Sequence, residues 1–162
     1  MNYGRAFFAG VVGGAAMSAV ITLVRVMGIM DVNLSMMEGS MITAAVGLGT
    51  WLLGFVMHLM ISGLIALAYA AGFEYVTHRS SWLLGVAFSL VHSLIAGLMF
   101  GLVPAIHPLV PEQMPAPGIY MSNKGLMGIL AFFMLHALYG AIVGAMYHVV
   151  HTARTYGTTR HA

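Results

Sequence analysis

His58, His92 and His136 each stand well inside a long apolar run, where an ionisable side chain is expensive and by default marks a functional site. The last of these runs, 125–151, reads GLMGILAFFMLHALYGAIVGAMYHVVH and carries no Asp, Glu, Lys or Arg. Neutral imidazoles suit Zn, Cu, Ni and Fe, and a thioether such as Met57, Met60, Met99 or Met134 would bias a three-histidine set towards Cu(I). The chain holds 15 methionines, and Met36, Met37, Met41, Met114 and Met121 fall in two polar-flanked connections, where copper would be gathered. Alternatively, two of the three histidines could ligate a haem b, with Arg25 or Lys124 facing its propionates. A third use is proton relay, continued by His78, His148 and His151. Against all of these stands a purely structural role: hydrogen-bonding glue between helices at ~0.6–2 kcal/mol per bond, with methionine as flexible filler.

The elements that carry these residues follow from composition. Of 162 residues, 60% are hydrophobic and 6% charged, and the mean hydropathy is +0.95. Soluble domains carry roughly 25% charged residues, so this chain cannot cover itself with a water-compatible surface. Four apolar runs, at about 6–30, 51–72, 82–103 and 125–150, each supply the ~20 residues that a helix needs to cross ~30 Å of hydrocarbon. The expected fold is all-α, a single integral membrane four-helix bundle over 1–162 with a polar tail at 152–162. The first run is too long for the ~7–15-residue core of a signal peptide and reads as an uncleaved span. Arg5, Arg79, Arg154 and Arg160 cluster on one side of the spans and Lys124 on the other, with Arg25 just inside, which predicts N-in/C-in.

Small and polar residues mark one face of each span. They are Gly10, Gly14, Ser18, Thr22 and Arg25 in the first, and Gly54, His58, Ser62, Ala66 and Tyr69 in the second. The third has Gly85, Ser89, His92 and Ala96, and the fourth Gly128, Phe132, His136, Gly140 and Gly144. Such faces let membrane helices approach closely. Arg25 snorkels to the headgroups or pairs with Asp31 or an anionic ligand. The short connection 73–81 predicts that the second and third spans pack as antiparallel neighbours. In the first outer loop, Ser35-Met-Met-Glu38 fits a capping box and predicts a short interfacial helix over 36–46. All five prolines lie in the second outer loop, read as a stiff extended cap, and His107 there, like His161 in the tail, reads as solvated. Counting 1.5 Å per residue from the outer ends puts His58 ~10 Å deep, His92 and His136 ~16 Å, and Arg25 ~8 Å, so the three histidines share one level.

Several function classes are excluded. Without cysteine there is no disulfide, thiolate metal site or thiol nucleophile. No acidic residue and no lysine falls within a span, and no phosphate-binding loop or Ser/His/Asp set is present, so the chain does not read as an enzyme. Six basic residues scattered over the loops make no nucleic-acid patch.

Arg5-Ala-Phe-Phe-Ala-Gly10 with Gly14 and Met17, Gly54-Phe-Val-Met-His58 with Tyr69, Gly85 with His92 and Ala96-Gly97, and His136-Ala-Leu-Tyr-Gly140 with Tyr147 together span most of the chain. This pattern resembles small uncharacterised four-helix inner-membrane proteins of bacteria. The resemblance implies a bacterial inner membrane and four spans, and carries over no functional residue. The sequence therefore points to a binding protein or accessory subunit, embedded in the lipid bilayer as a homo-oligomer or within a larger complex. In it, His58, His92 and His136, supported by Arg25, Met57, Met99 and Met134, would hold copper or haem b. The alternatives are a purely structural subunit of a respiratory, photosynthetic or oxygenase complex, and a small metal or proton transporter.

Overall fold

The computed structural model describes residues 1–149, which form five α-helices and no strand. These are α1 (Tyr3–Val26), α2 (Leu34–Thr43), α3 (Leu48–Gly72), α4 (Trp82–Ile106) and α5 (Gly125–Met146). A π-helical turn, Phe73–Thr77, prolongs α3, and a 3-10 segment, Ile119–Lys124, leads into α5. With these extensions α1, α3, α4 and α5 are each long and apolar enough to cross a membrane, at a mean hydropathy of 2.0–2.1. His151, the tail 152–162 and the end of the last expected span lie outside the described residues.

Local chemistry moves the boundaries from those expected. The Asn2 side chain caps α1 by accepting from the Arg5 N–H at 3.0 Å, and Gly28, at φ 71°, turns the chain after Val26. As a result Thr22 and Arg25 end α1 exposed rather than continuing the buried face of Gly10, Gly14 and Ser18. The short helix runs over Leu34–Thr43 instead of 36–46, because Asn33, not Ser35, is its cap and accepts from the Met36 N–H at 3.1 Å. Helix α4 continues past Pro104 to Ile106, since a proline so near the C-terminal end removes only one hydrogen bond and already has a helical φ. The proline-rich segment after it is not extended. It folds into turns over buried Leu109 and Val110, with the Gln113 and Met114 N–H groups both donating to the Leu109 carbonyl at 2.9 Å.

The packing is backbone against backbone. A Cβ on Gly85 of α4 would run into the Gly140 carbonyl of α5, and one on Gly10 of α1 would meet Ser62, Gly63 and Ala66 of α3. Gly13 of α1 lies under the Tyr139 ring of α5. The four long helices thus follow one another as α3, α1, α5 and α4. Helix α2 folds back antiparallel along the first turns of α3, with Thr43 beside Thr50 and Gly39 and Ser35 beside Gly54. On the α4 face against α5 the buried residues are Gly85, Ser89, Ser93 and Gly97, which leaves His92 and Ala96 on its shoulder, half-buried.

The second and third spans do not pack as neighbours. The small faces of α3 and α4 are turned to α1, α2 and α5, and the residues they show each other are bulky, including Ile61, Ile65, Val91 and Ile95. A cleft of about 880 Å³ separates them. At the end near the 78–81 connection it is closed by Tyr69 of α3 and Phe73 of the π-helical turn against Phe88 of α4, with Phe73 and Phe88 stacked at 5.1 Å. At the other end His107, which follows α4, donates from Nε2 to the Met37 carbonyl of α2 at 2.8 Å. At the end with the 78–81 connection, the Tyr147 hydroxyl donates to Glu74 at 2.6 Å and the Ser80 hydroxyl donates to the Tyr147 carbonyl at 2.6 Å, which ties the residue after α5 to the π-helical turn and to the connection.

Close approach at Gly85 is testable. Gly85→Ala should destabilise the purified protein by about 1–3 kcal/mol through overpacking, read as a fall in thermal midpoint in detergent. Gly49→Ala, where a Cβ meets nothing within 4 Å, should leave the midpoint within error.

Candidate functional site

Helices α3, α4 and α5 direct His58, His92 and His136 to one interior chamber of about 190 Å³. This is the meeting anticipated from their depths. The wall is completed by Met17 and Ile21 of α1, Ser62 of α3, Phe132 and Tyr139 of α5, Met121 of the 3-10 segment, and Glu38 of α2. The chamber abuts the α3/α4 cleft, and Glu38, Ile61, Ile65, His92, Ala96 and Phe100 line both. A mostly apolar pocket bearing a few polar side chains therefore lies behind an apolar opening in the side of the bundle.

Each imidazole has a distinct setting. His136 Nδ1 donates to the Phe132 carbonyl one turn earlier at 2.7 Å, so its ring is held by its own helix. His58 Nδ1 meets Glu38 Oε1 at 3.0 Å, a hydrogen bond between α3 and α2. His92 Nδ1 is 3.2 Å from the Tyr69 hydroxyl, across the cleft on α3. The His92 and His136 rings meet edge to face with centroids 4.8 Å apart, and Tyr139 stands against His92 at 5.7 Å. The Tyr139 hydroxyl donates to the Ser62 carbonyl, which joins α5 to α3 across the chamber. Two fully buried atoms stand out. Glu38 Oε2 and His58 Nε2 are buried with no hydrogen-bond partner among the described residues. Such groups cost about 1–3 kcal/mol each and call for an explanation.

The supporting residues fare differently. Arg25 sits at the end of α1, 3.8 Å from Asp31 and largely in the open, and it does not line the chamber. Met134 is 70% exposed on the outer face of α5. Met99 faces the cleft, and Met57 is half-buried on α3 but on neither cavity wall. The thioethers at the chamber are Met17 and Met121. His107, read as solvated, is buried at 5% exposure because α2 supplies Met37 and Ser40 as partners. Glu38 was missed as a site residue because its spacing from Ser35 fits a capping box. The side chain instead reaches α3, where Gly39 and Gly54 bring the two backbones together. Tyr139 had a readable signal: it lies three residues from His136, on the same helical face.

Among the described residues no three His, Asp or Glu side chains are grouped so as to hold a metal ion. Nor do His92 and His136 fit as the two axial ligands of one haem. Iron would need ~2 Å to each nitrogen with the macrocycle between the rings, and rings in edge contact at 4.8 Å leave no such gap.

A double-mutant cycle tests the Glu38–His58 pair. Glu38→Ala, His58→Ala and the double variant should show a coupling of about 1–3 kcal/mol in detergent unfolding, whereas additive losses would mean the two side chains do not interact. No protein-family model, curated protein or solved structure matches the chain, so its function is argued from this geometry.

Proposed function

We propose that this is a multi-pass membrane protein of the bacterial inner membrane that takes a lipid-soluble molecule from the bilayer through the α3/α4 cleft. The molecule's polar head is held in the histidine chamber. One observation carries the reading: the 190 Å³ chamber, with Glu38 and His92 on its wall, abuts an apolar cleft of 880 Å³. Ligand sites are commonly ~300–1,000 Å³, mostly apolar, with a few convergent polar groups. The head would meet His58, His92, His136 and Glu38, and the tail would lie along Ile65, Ile95 and Met99. The protein acts by binding, with no reacting group assigned. Bacterial inner-membrane residence follows the resemblance noted in the sequence.

In this reading the four long helices cross the bilayer with both termini inside. Arg5 and Arg79 at one end and Lys124 at the other support that orientation. Helix α2 then stands on the outer side and dips beside the first turns of α3 instead of lying flat on the interface.

A second reading is a bound transition-metal ion, copper first. It is supported by three imidazoles and the sulfurs of Met17 and Met121 around one chamber. It requires the side chains to close up, because no ligand group is assembled among the described residues.

Native mass spectrometry of the protein released from membranes separates these readings. The ligand reading predicts one retained small molecule, lost on Ala96→Trp, which would block the shared wall, and kept on Met134→Trp, on the outer face. Protein free of any bound molecule in both forms would sink it. Stoichiometric copper by elemental analysis, abolished by His136→Ala, would favour the metal instead. Reporter fusions after residues 79 and 124 should score inside and outside respectively.

A further inference from the structure

The cleft and the chamber lie at different levels along the helices, and this fixes the posture of a molecule that fills both. On α4 the cleft is lined from Phe88 to Ile106, whereas the chamber meets α4 only at His92, Ala96 and Phe100. By helical rise His92 stands ~6 Å from the Phe88 end and ~21 Å from Ile106. The near end is filled by the rings of Tyr69, Phe73 and Phe88. A chain whose head is in the chamber has one long way to run, outward past Met99 and Val103 and beside Met37 and Met41 of α2. In the orientation proposed above, His92 is ~16 Å below the outer end, about halfway through ~30 Å of hydrocarbon. A head held there is at mid-membrane with its chain towards the outer surface, the reverse of a phospholipid, whose phosphate stays at the interface.

The walls also restrict charge. Among the described residues neither cavity is lined by Lys or Arg, and Arg25 and Lys124 lie outside both linings. An anionic head would have no positive partner, or would need an imidazole to take up a proton among apolar side chains, at a desolvation cost. A cationic head fares little better. Glu38 is the carboxyl at the wall, but its Oε1 already meets His58 and its Oε2 has almost no accessible surface. An unpaired charge carried to mid-membrane is costly whatever its sign. His92, by contrast, is half-buried and lines both cavities, so it is placed to meet a neutral polar group, while His58 and His136 are buried more deeply. The chamber of about 190 Å³ also limits size, since a water-sized group occupies ~30 Å³ and a handful of heavy atoms fills it. Resting on the ligand-binding reading above, we infer that the ligand is a long-chain molecule with a small uncharged polar head, held head-inward at His92 with its chain directed to the outer surface.

The test is calorimetric titration of the full chain in nanodiscs with three probes that share a chain and differ in the head: hexadecan-1-ol, hexadecane-1-sulfonate and hexadecylammonium. Affinities are compared per probe dissolved in the bilayer, which removes differences in partition from water. The alcohol should bind at least ~10-fold more tightly than either ion, a modest part of the cost of burying a charge without a partner. Chain direction is read from Val103→Trp, a wedge ~16 Å outward of His92 by helical rise. It should weaken hexadecan-1-ol by ~10-fold through overpacking and leave octan-1-ol, too short to reach it, unchanged. The variant's thermal midpoint is measured alongside, and the wild-type ranking of heads stands as a test whether or not the variant folds. Sulfonate or ammonium binding as tightly as the alcohol overturns the uncharged head. Weakening of both alcohols, or of neither, by Val103→Trp overturns the outward chain. Either result leaves the lipid-ligand reading intact, and if none of the probes binds, that reading falls with the inference.

Discussion

Contact between helix backbones through glycine is the constraint on which the rest depends. Gly85 against Gly140 and Gly144, Gly10 against Gly63, and Gly39 against Gly54 bring helices together at distances that no side chain would permit. Between apolar helices in hydrocarbon the hydrophobic effect gives no preference for helix over lipid, so association depends on such close packing and on buried hydrogen bonds. Over most of their length the small faces of α3 and α4 point away from each other. Helix α3 turns its own to α1 and α2, and α4 turns its own to α5, so α3 and α4 meet with large side chains and stand apart. The cleft is thus a consequence of where the glycines are, not a separate feature of the fold.

The polar groups follow from the same packing. Helix α2 can approach α3 because Gly39 and Gly54 carry no Cβ, and this approach delivers the Glu38 carboxylate to His58. The carboxylate reaches the chamber from outside the long helices, which explains how a site with a carboxylate can be built although α1, α3, α4 and α5 themselves contain no acidic residue. Tyr139 reaches the Ser62 carbonyl because Gly13 and Gly14 leave room for the ring and for Ser62. The two ends of the cleft are pinned by unlike means: stacked rings of Phe73 and Phe88 at one, and the His107–Met37 hydrogen bond at the other. Movement of α4 away from α3 would have to break one of these or the Tyr69–His92 contact.

In the proposed ligand-binding reading, the apolar walls and the few polar groups of the chamber would have complementary roles. The walls provide a non-directional attraction for any lipid-soluble molecule, whereas discrimination must come from the few groups that need a specific partner. Here those groups are imidazole nitrogens fixed by their partners. His136 is held by its own helix and His58 by another element, so the second depends on α2 staying docked while the first does not.

The sequence by itself determined the four long apolar helices, because length and hydropathy alone decide what can cross hydrocarbon. It also determined that His58, His92 and His136 share a level, because helical rise converts residue number into depth. The faces of the second and fourth spans were legible for the same reason: small residues recur there at helical spacing, and all of those named are buried. On the third span the expected face ran through His92 and Ala96, but packing against α5 and the 3-10 segment covers Ser93 and Gly97 instead and leaves His92 at the shoulder. What tertiary structure alone decided is which helices touch. A nine-residue connection, 73–81, says that two helices are near, but not that their small faces are turned elsewhere. It also decided that Glu38, thirteen residues before Trp51 and outside every span, belongs to the site, while Arg25 and Met134 do not. Local pattern fixes depth and face, but the azimuth at which separate helices meet is set by matching surfaces distant in the chain.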